Sequence, residues 1–354
     1  MVAGACFGAQ GETAVKGQVV SDNGASGARV IVLATGGTIA GMAKGQSEIG
    51  YSAGEVTGDQ LVSSVPGLEK LADVKAEQIS NVGSQDMDNS VWFKLANRIR
   101  EIFDRNEADG VVITHGTDTL EETAFFLEKV LPAEKPVVLV GAMRPSTAIG
   151  ADGPANLYEA VEVAANPRSR GRGVMVVMND AIHSARWMSK THTTGVQAFV
   201  SQNSGPIGYV DPASVRYLSP VLAHPHVPIA LPENATMPRV DIVYGHSDMD
   251  ALQIDEAVRH RAKGIVLAGV GDGNTSKAAI KALAHAVKRG VVVVRSSRVG
   301  SGFVNRNVEV NDDKYGFVVS YDLNPQKARV LTQLLIANGV TQTDKIQEAF
   351  SETY

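Results

Sequence analysis

From Val30 onward the chain alternates short, apolar, β-branched runs with segments of helical periodicity, and this alternation restricts it to α/β layers around a largely parallel sheet. The spacing predicts strands over Val30–Ala34, Val111–Thr114, Val137–Val140 and Val174–Met178. Between them, Val91, Leu95, Ile99, Ile102 and Phe103 recur at helical spacing behind the polar cluster Asp88-Asn89-Ser90, which predicts a capped helix. A second helix is expected near Thr119, which has capping-box spacing to Glu122, and a third near Pro154.

The pattern pauses between Pro220 and Pro238, where five prolines fall in a stretch without periodicity. It then resumes with strands expected over Val240–Tyr244, Ile265–Val270, Val291–Ser296 and Gly316–Ser320. Helices are expected over Asp255–Ala262, stopped by Gly264, over Ser276–Arg289, stopped by Gly290, and from Asn324-Pro325 to about Ala337. The organisation expected is a tail or signal remnant over 1–29, a catalytic α/β domain over 30–219, a linker over 220–239 and a smaller α/β domain over 240–354.

At 354 residues the chain is long enough for about two domains. Its 44% hydrophobic and 20% charged residues exclude disorder and fibrous repeats, and no apolar run is long enough to span a membrane. The net charge of −5 lacks the basic excess of a general nucleic-acid binder. The single cysteine, Cys6, rules out an intramolecular disulfide and a cysteine-rich metal site, and no His spacing matches a zinc motif. The first ten residues are small and apolar like the end of a secretory signal, with Ala3-Gly4-Ala5 before Cys6 faintly like a lipoprotein site, but without a basic leader. Glycine is enriched, at 35 of 354 residues, which asks where the backbone must come close to something.

In open α/β sheets, ligands bind beyond the carboxyl ends of the strands. The first such turn, Thr35-Gly36-Gly37-Thr38, presents a threonine on a Gly- and Ser-rich stretch reaching to Gly54 that contains Tyr51 and reads as a lid, although the same turn also fits an ordinary connection. The second, His115-Gly116-Thr117-Asp118-Thr119, runs straight into a helix, whose free N–H groups suit a carboxylate or an oxyanion; three hydroxyl and carboxylate side chains in a row exceed what capping needs. In the third turn, Arg144 fits either a substrate carboxylate or a loop brace. Lys190 alone would read as solvated surface. Gly269, Gly271 and Gly273 miss the GxGxxG pattern, so no dinucleotide cofactor is expected.

Taken together, ATGGTIAG (34–41), NVGSQDMDN (81–89), ITHGTDTLEETA (113–124), VGAMRPST (140–147), VMNDAIHSARWMSKTHTT (177–194), AGVGDGN (268–274), VRSSRVGSG (294–302) and DLNPQKARVL (322–331) resemble the bacterial type II L-asparaginases of the asparaginase/glutaminase family. The resemblance runs from about residue 30 to the C-terminus. It implies an α/β fold with a mixed, mainly parallel sheet flanked by helices in the large N-terminal domain and a smaller C-terminal flavodoxin-like parallel α/β domain. It also implies hydrolysis of the side-chain amide of L-asparagine without metal or cofactor. By the same resemblance Thr38 is the nucleophile, Tyr51 closes with it, and Thr117, Asp118 and Lys190 form a triad. Ser84, Gln85 and Asp118 hold substrate, with Glu309 supplied by a neighbouring subunit of a homotetramer. Relatives of this type are usually exported, which points to a periplasmic or secreted protein.

Chemistry adds constraints of its own. A threonine hydroxyl needs a base within reach and donors placed for the oxyanion. A lysine gives up its proton near neutrality only when burial is strong, and Asp118 opposes that, so Lys190 is expected to act through a hydrogen-bonded relay, with Tyr51 as the other candidate activator of Thr38. The resemblance adds two points: Asp272 stands where well-known members carry asparagine, which places negative charge near the expected ammonium pocket, and Gln85 is the residue of asparaginase-preferring members, which implies a preference for asparagine over glutamine. Two alternatives stand beside this reading: a dual glutaminase-asparaginase, and an amino-acid binding protein without turnover.

Overall fold

Strands apolar on both faces belong in the middle of a sheet that is covered on both sides. The computed structural model describes residues 27–43, 51–52, 55–221, 227–233 and 236–351, and it places the predicted runs in such a sheet. Its strands are β1 (Arg29–Gly36), β2 (Asp73–Val82), β3 (Gly110–Thr114), β4 (Val137–Val140), β5 (Val174–Met178), β6 (Ala181–Ser184), β7 (Gly208–Asp211) and β8 (Ser214–Tyr217). The order across the sheet is β8-β7-β6-β5-β4-β3-β1-β2. The five strands from β2 to β5 are parallel, and β6, β7 and β8 add antiparallel, so the sheet is mixed but mainly parallel.

Period-two alternation divides each central strand between two cores. Ile31, Leu33, Val111 and Ile113 face helices α1 (Asn89–Asp104) and α2 (Leu120–Val130), while Val30, Val32 and Val112 face α3 (Gly153–Ala165). The expected cap on α1 forms, with Asp88 Oδ1 accepting from Val91 N at 3.0 Å. The expected capping box on α2 does not. Thr119 caps with its backbone only, because its hydroxyl donates instead to Ser84 O at 2.7 Å.

The C-terminal part is a four-stranded parallel sheet of β9 (Val240–Tyr244), β10 (Gly264–Gly269), β11 (Val292–Ser297) and β12 (Val318–Val319), in that order. Helices α4 (Leu252–Arg259) and α5 (Lys277–Lys288) cover one face. Helix α4 starts and ends earlier than its periodicity suggests: Asp250 Oδ1 accepts from Leu252 N, His260 closes its last turn, and Gly264 opens β10 instead of stopping the helix. The other face is covered by α6 (Pro325–Ala337), and the chain continues into α7 (Thr343–Ser351), which the sequence reading did not anticipate.

Helix α6 joins the two sheets, since its Leu331 and Leu334 share one apolar cluster with Val266 and Val294 of the small sheet and with Phe125 and Phe126 of α2. Its first turn is polar, buried and aimed at the large domain. Lys327 Nζ donates to the carbonyls of Arg186, at 2.8 Å, and Met188. Asn324 Nδ2 donates to Glu121 Oε2 at 2.9 Å and Ser189 Oγ at 3.1 Å, and Arg186 pairs with Asp322 at 2.5 Å. Burial pulls the Lys327 ammonium down to about 8 from its ordinary value. Lys327→Met would leave two buried carbonyls without their donor, and a loss of about 1–3 kcal/mol per carbonyl is expected in urea denaturation.

The fold also buries carboxyls beneath α3. Glu159 is 4% exposed and Glu162 3%. Burial, reinforced by the neighbouring Asp180 carboxylate, raises Glu159 to about 8, and burial beside Asp211 raises Glu162 to about 7. Such an acid holds a proton in the folded state that the unfolded chain has lost, so stability falls as pH rises from 4.5 through these values. Buried His115 and His183, both lowered to about 4, act the other way, with stability lost as pH falls from 6.5 towards 4. Above pH 6.5 the histidines are already neutral in the fold and mostly neutral in the unfolded chain, so the glutamates dominate this set. The melting temperature is therefore expected to drop between pH 6.5 and 8, and Glu159→Gln, which needs no proton, should flatten that drop in parallel thermal melts.

Candidate active site

The carboxyl ends of β1, β2, β3 and β4 converge, and glycine makes the convergence possible. Gly36 and Gly37 leave β1 with φ of +107° and +82°. A Cβ on Gly36 would lie 2.5 Å from Val82 O, and one on Gly37 only 2.3 Å from Gly116 N. Neither position accepts a side chain, in conformation or in space. The backbone contact of Gly37 with Gly116 brings the next residue of each turn, Thr38 and Thr117, to the same end of the sheet, where both are 5% exposed.

Ser84 follows β2 and is 4% exposed. Its hydroxyl accepts from Asp118 N at 3.1 Å, and its carbonyl is the one held by Thr119. A Cβ on Gly116 would lie 2.7 Å from Ser84 Oγ and 3.1 Å from Ser84 N, so the turns after β3 and β2 are also in close contact. Behind Thr117 lies Gly141, where a Cβ would meet His115 O at 2.9 Å and Thr117 Cγ2 at 3.0 Å.

Lys190 arrives from elsewhere in the chain, at the end of the short strand Met188–Lys190, which pairs antiparallel with Phe199–Ser201. Its Nζ donates to Thr117 Oγ1 at 2.9 Å and to Asp118 Oδ1 at 2.5 Å. The lysine side chain is 15% exposed and that of Asp118 60%. One ammonium thus polarises a threonine hydroxyl while a carboxylate, open to solvent, remains on the same side to meet a cation. This set suits proton handling around a hydroxyl nucleophile and recognition of a small zwitterion.

The other expected residues lie apart from this group. Gln85 is exposed, and its amide donates to Asp86 at 3.2 Å. Asp272 sits in the glycine turn after β10, where its carboxylate accepts from Asn305 N at 2.7 Å and Asn305 Nδ2 at 3.1 Å. Glu309 is exposed and lines a depression with Asn274, Lys277 and Tyr315. Among the described residues, no hydrogen bond or ion pair links Asp272 or Glu309 to the Thr117–Lys190 group. The backbone of Tyr51 pairs with Ala43, but its side chain, like most of the expected lid, lies outside the described residues. Arg144 is a loop brace, donating from Nη1 to Gly150 O at 3.0 Å. Among the described residues, no group of three or more His, Cys, Asp or Glu could hold a metal ion.

Two supporting residues escaped the sequence reading. Asn156 donates to Gly141 O and accepts from Asn179 N, both at 3.0 Å, and Asp152 accepts from Met143 N and Arg144 N at 2.9 Å each. Their four-residue separation, which places both on one face of α3, was the available signal.

Comparison with known proteins agrees with this architecture. Residues 29–222 match the family described as Asparaginase, N-terminal, and residues 239–350 the Glutaminase/Asparaginase C-terminal domain. The chain is 46% identical to L-asparaginase 2 of Escherichia coli, over 96% of this chain and 98% of that one. It is 46% identical to "Probable L-asparaginase periplasmic" of Haemophilus influenzae, covering 94% and 95%, and 42% identical to a glutaminase-asparaginase of Pseudomonas fluorescens, covering 92% and 90%. A crystal structure titled as a probable cytoplasmic L-asparaginase from Campylobacter jejuni superposes with a TM-score of 0.87 at 45% identity, covering 92% of this chain and 99% of that one. With the strand-end site built and both parts of the chain matched, the protein belongs to the asparaginase/glutaminase family.

Proposed function

We propose that this protein hydrolyses the side-chain amide of L-asparagine to L-aspartate and ammonia. The observation that carries the reading is Lys190 Nζ held between Thr117 Oγ1 and Asp118 Oδ1 at the glycine-lined strand ends, in a chain whose relatives include named L-asparaginases. Thr38 is the nucleophile of this proposal. Its oxygen bonds to the amide carbon, the carbon–nitrogen bond breaks, and the hydroxyl proton leaves with ammonia; water then cleaves the ester and restores the hydroxyl. Thr117, Lys190 and Asp118 manage the proton, and Tyr51 is the second candidate for activating Thr38.

Substrate recognition follows the charges. The open Asp118 carboxylate takes the α-ammonium, Ser84 takes the α-carboxylate with backbone N–H groups, and Gln85 shapes the choice between asparagine and glutamine. Glu309 belongs to this pocket in our reading only when a neighbouring subunit supplies it, so the working form is a homotetramer with sites at dimer interfaces. Asp272 would then add negative charge near the ammonium. The small, apolar N-terminal residues and the relative named periplasmic support export, whereas the solved relative is titled cytoplasmic.

Thr38→Ala and Thr117→Val should each lower kcat for ammonia release by about a thousandfold or more, as removing one member of a catalytic unit does. Near wild-type turnover in the first would remove Thr38 as nucleophile, and in the second would remove the triad. Stoichiometric asparagine binding without ammonia release by the wild type would instead support a binding protein. A second reading, dual activity, is favoured by relatives named glutaminase-asparaginase at 40–42% identity. The proposal expects kcat/KM for asparagine well above that for glutamine in the same ammonia assay, and a ratio near one would make the enzyme dual.

A further inference from the structure

A chain of three buried side chains runs behind the candidate site. Trp92 of α1 is 5% exposed, and Thr123 of α2 and His115 after β3 are fully buried. Trp92 Nε1 donates to Thr123 Oγ1 at 2.8 Å, Thr123 Oγ1 lies 2.8 Å from His115 Nε2, and His115 Nδ1 lies 2.6 Å from Gly116 O.

The chemistry of the ends fixes every proton between them. An indole N–H can only donate and a carbonyl can only accept. Both ends therefore suit one direction: Trp92 donates to the threonine oxygen, the threonine hydroxyl donates to His115 Nε2, and His115 donates through Nδ1–H to Gly116 O. The imidazole is neutral in this arrangement. Burial, which pulls His115 down to about 4, keeps it so at neutral pH.

The far end of the chain is the peptide that joins Gly116 to Thr117. Among the described residues no cis peptide bonds occur, and in a trans peptide the C=O and N–H point in opposite directions. Holding Gly116 O towards His115 thus turns the Thr117 N–H to the opposite side. Thr117 is 5% exposed, yet among the described residues its N–H has no acceptor. With no protein acceptor, this N–H is available to a ligand, and it belongs to the residue whose hydroxyl meets Lys190.

We propose that Trp92, Thr123 and His115 are positioning residues: they hold the Gly116–Thr117 peptide so that the Thr117 N–H is a fixed donor for the substrate amide oxygen as negative charge builds there. The proposal rests on the amidohydrolase reading above. Its cost-free orientation during reaction is what makes such a donor effective. A merely structural chain would satisfy the same three polar groups without touching turnover, so the two roles separate in kinetics.

The test combines imidazole ¹⁵N NMR of histidine-labelled protein with kinetics of Thr123→Val and Thr123→Ser, using His115→Gln to assign the resonance. The expected wild-type spectrum has Nδ1 protonated and Nε2 unprotonated. Thr123→Val should lower kcat for asparagine by roughly tenfold or more with KM little changed, and Thr123→Ser should restore it. A protonated Nε2 in the wild type, or a Thr123→Val enzyme that loses thermal stability but keeps its kcat, overturns the proposal. A wild type that releases no ammonia would sink the amidohydrolase reading and this catalytic role with it. An active wild type beside an unaffected Thr123→Val enzyme defeats the positioning role alone.

Discussion

The contact between Gly37 and Gly116 is the constraint on which the site depends. Two turns from different parts of the chain meet there with no side chain between them, and a single methyl on Gly37 would lie 2.3 Å from Gly116 N. Strand twist and register bring β1 and β3 side by side, but neighbouring strands in a sheet normally keep their exits about 5 Å apart. Closing that gap to backbone contact places a threonine from each turn at one end of the sheet. Ser84 and Gly141 complete the arrangement from β2 and β4 under the same demand for close approach.

What holds these turns is polar and half-buried to buried. Asp152 and Asn156 of α3 bind the loop after β4, and Thr119 gives up its capping hydrogen bond to hold Ser84. The placement of Lys190 in turn depends on α6. Lys327 donates to Arg186 O and Met188 O, and Asn324 to Ser189 Oγ, all just ahead of Lys190. The smaller sheet therefore bears on the candidate site through the residues that fix the strand carrying Lys190. Buried charge of this kind contributes definition of geometry more readily than net stability.

Much of this was legible in the sequence. The central strands could be read because both faces are buried, and α1, α3 and α6 because their caps and first-turn prolines lie at the expected positions. Strand β2 carries no such signal. It lies at the sheet edge, its residues are half-buried to exposed, and DVKAEQISNV offers no continuous apolar run. Helix α4 begins ahead of its periodic residues, where Asp250 Oδ1 accepts from Leu252 N and no N-cap side chain signals the start. The capping motif at Thr119 misleads because it describes local chemistry, and a carbonyl distant in the chain competes for its hydroxyl.

The sequence by itself determined the layered α/β architecture, the turns at which glycine is obligatory, and the residue types available for chemistry, because these follow from local periodicity and from the conformations that side chains forbid. Only the tertiary structure decided which of those residues meet. Lys190 lies 73 positions from Thr117, and no local rule relates them; their 2.9 Å contact exists because a short strand pair is docked beside the helix that follows β3. The direction of the Trp92–Thr123–His115 chain was likewise decided by packing, since a proton's place on an imidazole depends on which donor and acceptor the fold sets at its two nitrogens.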